Sequence, residues 1–374
     1  MNNPIFDFVS EPVKTLLPTD YIVRPAFFRL SQTADIEAIS SLLKGTPSIV
    51  VHDTLHGQLR ELLKLRRPDI RYTDVELEKV VLDYMQGQPE WHYGVWVYYP
   101  WNGQMVHILD ESEFIEVRTN RNQFKITPEE RKMLATKKIG VIGLSVGQSV
   151  AMTLAMERSF GELRIGDFDT LELSNMNRIR TGVQNLELPK TVVVKREIAE
   201  IDPYLNVTCF HEGVTKDNID DFLHKDGTLD VLIDECDSLD IKLLCRKKAR
   251  EARIPVLMDT SDRGMIDIER FDNEPERELL HGLVEGVDHL DLGSLNQGER
   301  VHLSLQIAGG DSLSERMKAS IPQIGKTIST WPQLASSVTL GGGATAELCR
   351  KIAGGEQIPS GRYYIDVDKL IKTS

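Results

Sequence analysis

From Lys137 onward the chain alternates between short apolar runs and longer stretches in which apolar residues recur every three or four positions. The short runs, at 138–143, 162–167, Leu205 to His211, Val231 to Asp234 and Pro255 to Asp259, have the length of strands. The stretches between them, at 148–158, 190–201, 216–224 and 240–252, have the spacing of helices. Strands and helices in this alternation predict a parallel, doubly wound sheet. Further on, Gly264 to Arg270 and Gln297 to Gln306 read as strands, and the stretch from Glu274 to Glu285 as an acidic loop. Gly341-Gly-Gly-Ala344 reads as the opening of a helix from Thr345 to Ile352, and Tyr363 to Val367 as a last strand.

Residues 1–115 have a different rhythm and read as a separate small α/β domain. Helices are expected over Ala34 to Leu43 and Leu55 to Leu65, with a short strand at Ser48 to Val51 between them. A third helix spans Thr73 to Met85, with Thr73 or Asp74 placed to cap it. Trp91 to Tyr99 and Met105 to Leu109 flank a Pro100-Trp-Asn-Gly103 turn, which predicts a hairpin. Three tryptophans, Trp91, Trp96 and Trp101, fall here and fit a small aromatic core better than a peptide-docking surface.

Composition narrows the function classes. A net charge of −13 counts against a nucleic-acid partner, because phosphate binding rests on clustered Lys and Arg. No apolar stretch approaches the roughly 20 residues a membrane helix needs, so no membrane partner is expected. The early Asp7 and Glu11 do not fit a basic-then-apolar signal, and a cytoplasmic location is the expectation. Cys209, Cys236, Cys245 and Cys349 lack metal-ligand spacing and read as buried, reduced thiols. His281 and His289 match no compact metal motif, and their acidic loop is a candidate wall of an acceptor channel.

Candidate chemistry is concentrated in two stretches. Ile139-Gly-Val-Ile-Gly-Leu-Ser-Val-Gly147 is an apolar run and a small-residue turn leading into a helix. Such a unit leaves helix N-terminal amides free for an anion, with Gly143, Ser145 and Gly147 in the turn. Asp167 ends the next strand, twenty positions after Gly147, and Asp169 adds a second carboxylate. A dinucleotide-type fold puts its ribose-binding acid there. A nucleotide site follows from this spacing, although a strand-end turn would also accommodate Asp167.

The second stretch, Gly166-Asp-Phe-Asp-Thr-Leu-Glu-Leu-Ser-Asn-Met-Asn-Arg178, resembles the ATP site of the ubiquitin-activating (E1-like) or ThiF–MoeB adenylating superfamily. Lys190 in Leu188-Pro-Lys190-Thr, Asp237 at the end of Asp230-Val-Leu-Ile-Asp-Glu-Cys-Asp237, and Arg121 in Arg118-Thr-Asn-Arg121-Asn-Gln match further motifs in order. The chain departs from the pattern at Ser145 and Gln148, where the family loop has glycines, and at Ser238, where an asparagine is common. The paired Cys-x-x-Cys zinc motif is absent, so no zinc is expected.

The resemblance implies a Rossmann-like, mostly parallel sheet, with residues 116–374 as an ATP-binding adenylation domain. It implies ATP held by Gly143, Ser145, Gly147, Asp167, Asp169, Asn175, Arg178 and Lys190. Mg2+ would be held by Asp237, and Arg121 would reach the partner's site in a homodimer. Read alone, Asn175 and Asp237 would be helix caps, and Arg178 and Arg121 solvated charges. The implied reaction is adenylation of a carboxylate, the C-terminus of a ubiquitin-like protein or peptide, with release of pyrophosphate. With no cysteine between Cys245 and Cys349, no thioester on the chain itself is expected.

Three alternatives share these residues. Gly143-Leu-Ser145-Val-Gly147 fits the nucleophile elbow of a serine hydrolase, with Asp259 and His281 completing the order Ser, Asp, His. That reading leaves Asp167, Asn175, Arg178, Lys190 and Asp237 unexplained. The others are a tRNA-modifying dehydratase of the same superfamily, which the acidic charge disfavours, and a non-catalytic nucleotide-binding module.

Overall fold

The computed structural model describes residues 21–371 apart from 288, 289 and 291, so Asp7, Glu11 and His289 lie outside the described residues. The N-terminal part runs β1 (Ala26–Phe28), α1 (Thr33–Gly45), β2 (Val50–Asp53), α2 (Leu55–Arg66), α3 (Asp74–Met85), β3 (Val95–Tyr99), β4 (Gln104–Ile108) and α4 (Glu111–Arg118). Its strands form one sheet in the order β1-β3-β4-β2. Helices α2 and α3 bring Leu55, Leu59, Leu62, Leu77 and Val81 into a common apolar cluster. Thr73 starts α3 with a reciprocal capping box to Glu76, which satisfies backbone donors that would otherwise lack partners.

The three tryptophans do not form a single aromatic core. Trp96 is buried and stacks on His107 at 4.1 Å between centroids, whereas Trp91 is half exposed. Trp101 instead donates to Glu200 at 2.5 Å and lies beneath Arg196, so it joins the N-terminal sheet to the rest of the chain. Tyr204, donating to the Leu109 carbonyl at 2.9 Å, adds a second tie.

The remainder runs α5 (Pro128–Leu134), β5 (Lys138–Ile142), α6 (Gly147–Glu157), β6 (Glu162–Gly166), α7 (Lys190–Ile201), β7 (Asn206–Phe210), α8 (Ile219–His224), β8 (Val231–Asp234), α9 (Leu239–Glu251), β9 (Val256–Thr260) and β10 (Met265–Glu269). It closes with α10 (Gln297–Ala308), α11 (Glu315–Ser320), α12 (Ala335–Ala353), β11 (Gly361–Tyr364) and α13 (Val367–Leu370). Seven strands form the sheet β11-β10-β9-β8-β5-β6-β7. The pairs from β9 to β7 are parallel, and β10 and β11 extend the sheet antiparallel. This is the expected doubly wound, Rossmann-like sheet.

One face of the sheet packs Val141, Leu163, Ile233 and Leu257 against Leu154 of α6, Ile198 of α7 and Cys349 of α12. The other face packs Leu232 and Met258 against Phe222 of α8 and Leu243 of α9. The chain order reverses direction at β5, which lies between β6 and β8. Ligands of open α/β sheets bind beyond the C-terminal ends of strands at such a reversal.

Two expectations are overturned. Gln297 to Gln306 is not a strand but most of α10, and the glycine run 341–343 lies inside α12, which begins at Ala335. The last strand is also shorter than expected, ending at Tyr364.

Candidate functional site

The loop after β5 is shaped by close approach. Gly143 has φ +85°, its amide donates to the Gly166 carbonyl at 2.8 Å, and a side chain there would strike the Glu235 carbonyl. Only glycine adopts this conformation without strain. Asp167, buried at the tip of β6, accepts from the Leu144 amide at 2.7 Å and the Asp169 amide at 2.8 Å. Burial raises the pKa of this carboxyl, and nearby Lys190 opposes that shift.

Lys190 opens α7 and is itself only 4% exposed. Its ammonium donates to Asp169 at 2.7 Å and to the Ser145 hydroxyl at 3.1 Å, and lies 4.0 Å from Asp167. Ser145, Asp167, Asp169 and Lys190 therefore form one cluster beside the loop. Gly147 begins α6, and no side chain caps that helix start.

Val146 leads from this cluster into a cavity of about 220 Å³ over the ends of β8 and β9. Arg178 and Asp237 both line it, so the structure brings this pair together. Arg178 donates to Asn177 at 2.9 Å, while its Nε is buried without a partner. Burial lowers the Arg178 pKa, and the negative charge of Asp237 opposes that shift. Asp237 is exposed, and the cap of α9 falls to Ser238, so the capping interpretation of Asp237 does not hold. Asn177 donates to the Gln333 carbonyl at 2.8 Å and ties the Arg178 turn to the segment that walls the cavity.

Other expected residues lie elsewhere. Asn175 turns its carbonyl oxygen back to the Glu172 amide at 3.1 Å, within a 3₁₀ turn, and does not line the cavity. Arg121 is exposed on the turn Asn120–Asn122, also outside the cavity. The cavity walls come from α10, α11 and residues 330–333, whereas Glu274 to Glu278 and His281 line a separate depression. The acidic loop is therefore not the wall of this cavity.

The hydrolase triad is not assembled. Ser145 accepts from Lys190, and the two ring nitrogens of His281 face Asp267 at 2.9 Å and Arg277 at 2.6 Å. Ser145→Ala removes one of three groups around Lys190. On the nucleotide-site reading it is expected to change activity by less than about tenfold, because the loop meets phosphate through backbone amides and Lys190 keeps its bond to Asp169. A labelling assay with a fluorophosphonate probe supplies the check, since covalent labelling of Ser145 would restore the hydrolase reading.

Several residues line the site that the sequence did not place in a nucleotide site. Cys236, expected to be buried, lies just past β8 in the cavity wall and is only partly buried. Its thiol donates to Asp234 at 2.9 Å, and burial together with that carboxylate holds its pKa well above the usual thiol range. Cys209 is also partly buried, and burial pushes its thiol up to about 11. Cys245 and Cys349 are buried. Glu235 and Asp259 also line the cavity, and burial raises both carboxyls, Asp259 to about 7.

Residues 119–281 match the ThiF family. An uncharacterised protein of Mycobacterium tuberculosis, MT1398, is 41% identical over 333 residues, covering 87% of this chain and 46% of that protein. The tRNA threonylcarbamoyladenosine dehydratase of Bacillus subtilis is 27% identical over 154 residues, covering 41% of this chain and 59% of that protein. The molybdopterin-synthase adenylyltransferase of Haemophilus influenzae is 22% identical over 171 residues, covering 45% and 69%. The chain thus spans about half the length of the first two relatives. Among the described residues no helix is long and apolar enough to cross a membrane. The match over 119–281 falls on the doubly wound sheet described above, so this chain carries a ThiF family domain.

Proposed function

We propose that the chain binds ATP at the loop after β5 and adenylates a carboxylate presented in the adjoining cavity. The observation that carries this reading is the placement of Arg178 and Asp237 in the wall of one cavity, which Val146 joins to the loop that meets Lys190 at Ser145. The adenylyltransferase among the relatives supports it. Lys190 and Arg178 would offset phosphate charge and stabilise the charge that develops at the α-phosphate. Asp167 and Asp169 would face the ribose, and the backbone amides of the loop the phosphates. An attacking carboxylate is already ionised near neutral pH, so its oxygen forms the bond to the α-phosphorus as pyrophosphate leaves, without a protein base. Catalysis is then positioning and electrostatics.

One exposed carboxylate on the cavity wall suits Mg2+, which takes one or two carboxylates together with phosphate oxygens. Asp237 would hold the ion, and a bound ion supplies charge neutralisation on the phosphates. Asp237→Ala is expected to lower Mg-dependent turnover about a hundredfold, roughly 3 kcal/mol of transition-state stabilisation. ATP affinity measured in EDTA should stay within about threefold, because the loop and Lys190 contacts are intact. Turnover that persists within a few-fold removes the metal role from Asp237.

ATP–pyrophosphate exchange with a panel of peptides and ubiquitin-like C-termini tests the proposal as a whole. A homodimer in which Arg121 completes the neighbouring site belongs to the same reading. The dehydratase relative favours a second reading, in which the carboxylate is on a tRNA nucleoside. The charge of −13 weighs against it, and exchange that depends on tRNA would establish it.

A further inference from the structure

The cavity holds an acid that the adenylation chemistry does not use. Asp259 lies near the end of β9, is 5% exposed and lines the cavity, yet neither of its carboxyl oxygens has a partner. Its amide donates to the Glu235 carboxylate at 2.9 Å, which fixes the two acids side by side on neighbouring strands. Gly341 of α12 lies against the Asp259 carboxyl, and any β-carbon there would collide with it. Thr345, one turn further along α12, has a buried hydroxyl that also lacks a partner.

Elsewhere the fold pairs its buried acids. Asp234, fully buried at the end of β8, is bound by both Lys242 and Arg246. An unsatisfied buried polar group is destabilising, and more so if it is charged. Among the described residues Asp259 therefore stands out as a buried acid without a counterpart. The cavity wall beside it includes the apolar Met258, Ile307, Leu313 and Met317. Mg2+ keeps several waters, which these apolar side chains would not bind, so two adjacent acids here suit an organic cation better. The cavity, at about 220 Å³, is smaller than the ~300–1,000 Å³ that encloses a drug-sized ligand, and suits one terminal residue.

We propose that the partner arrives with the substrate: Asp259 and Glu235 receive an ammonium or guanidinium group on the residue that carries the reacting carboxylate. The inference rests on the adenylation reading of the same cavity and narrows it to substrates with a basic end. A neutral end would leave the acids buried and unpaired, so discrimination acts against it as well as in favour of the basic one.

The test uses the full chain and acetylated four-residue peptides that differ only in a terminal lysine, arginine, glutamine or norleucine. In ATP–pyrophosphate exchange, the lysine and arginine ends are expected to exceed norleucine at least about tenfold in kcat/KM, mostly through KM. Asp259→Asn and Glu235→Gln, which keep shape and lose charge, should bring that ratio to about one. Their melting temperature and ATP affinity, measured in parallel, report whether the fold is intact. A ratio near one in the wild type, or one that survives in both variants, overturns the inference while leaving adenylation standing. If no peptide supports exchange, the adenylation reading has failed, and calorimetric binding of the same peptides decides the inference alone. Tenfold tighter binding of the lysine end that is lost in Asp259→Asn supports it, and equal binding of all ends rejects it.

Discussion

Lys190→Ala is expected to lower ATP–pyrophosphate exchange by roughly two to three orders of magnitude, the effect of deleting one preorganised electrostatic contact. The magnitude follows from what the ammonium faces. Asp169 at 2.7 Å and Asp167 at 4.0 Å both depend on it, and Ser145 accepts from it. Without the lysine, two carboxylates would meet the incoming phosphates with no intervening positive charge. Asp167 keeps its two backbone amides, so the loop should hold its shape and the fold should survive. Lys190→Arg retains the charge without the geometry and should fall in between. Equilibrium ATP binding, exchange rate and melting temperature should be measured together. A variant that exchanges within tenfold of the wild type would show that Lys190 only neutralises Asp167 and Asp169. Combined with Arg178→Ala, the loss should be less than the product of the two single losses, since both act on the same developing charge.

The parallel sheet was legible in the sequence because each of its strands is a short apolar run followed by an amphipathic helix. The helix from Lys190 to Ile201 and the strand from Val231 to Asp234 fall where the pattern puts them. Two errors have local causes. Val301, Leu303, Leu305 and Ile307 alternate as in a strand, but Asn296 and Glu299 form a capping box and Gly309 closes the segment at φ +78°. End signals outweighed the period, and Leu303 and Ile307, four apart, became the buried stripe. Gly341 and Gly342 resemble a turn, yet side chains there would collide with Asp259 and Ser149. Close helix packing, invisible without the fold, required glycine inside α12. The site divides in the same way. Lys190 and Asp237 were found through motifs, whereas the Glu235–Asp259 pair exists only because β8 and β9 are neighbours.

Arg246→Met is expected to destabilise the protein by about 3–5 kcal/mol, the cost of removing one partner of a buried ion pair. Arg246 has no exposed surface and bridges Asp234 and Glu269, with the Glu269 bond at 2.6 Å. Methionine restores much of the volume, so the cost comes from two buried carboxylates rather than from a void. Lys242 still serves Asp234, but among the described residues the Glu269 carboxylate keeps only the hydrogen bond from the Leu280 amide, at 2.6 Å. At roughly 2–4 °C per kcal/mol for a unit of 150–250 residues, the melting temperature should fall by on the order of 10 °C. The pH dependence identifies the cause. Burial raises Glu269 in the wild type, with Arg246 opposing, so removing the arginine raises it further. A carboxyl raised by folding favours the native state at low pH and loses that advantage as pH rises through its folded pKa. The deficit of the variant should therefore be largest near pH 8 and narrow toward pH 5, where Glu269 takes up a proton. Asp234, held at about 2 mainly by Lys242 and then Arg246 against its burial, works in the opposite sense for the wild type. Its pairing stabilises the protein above about pH 4 and is lost as pH falls toward 2. Adding Glu269→Gln to Arg246→Met should recover part of the loss and flatten the variant's pH profile between 5 and 8. Chemical denaturation across that range is the measurement, and a deficit independent of pH would assign the loss to packing instead of unpaired charge.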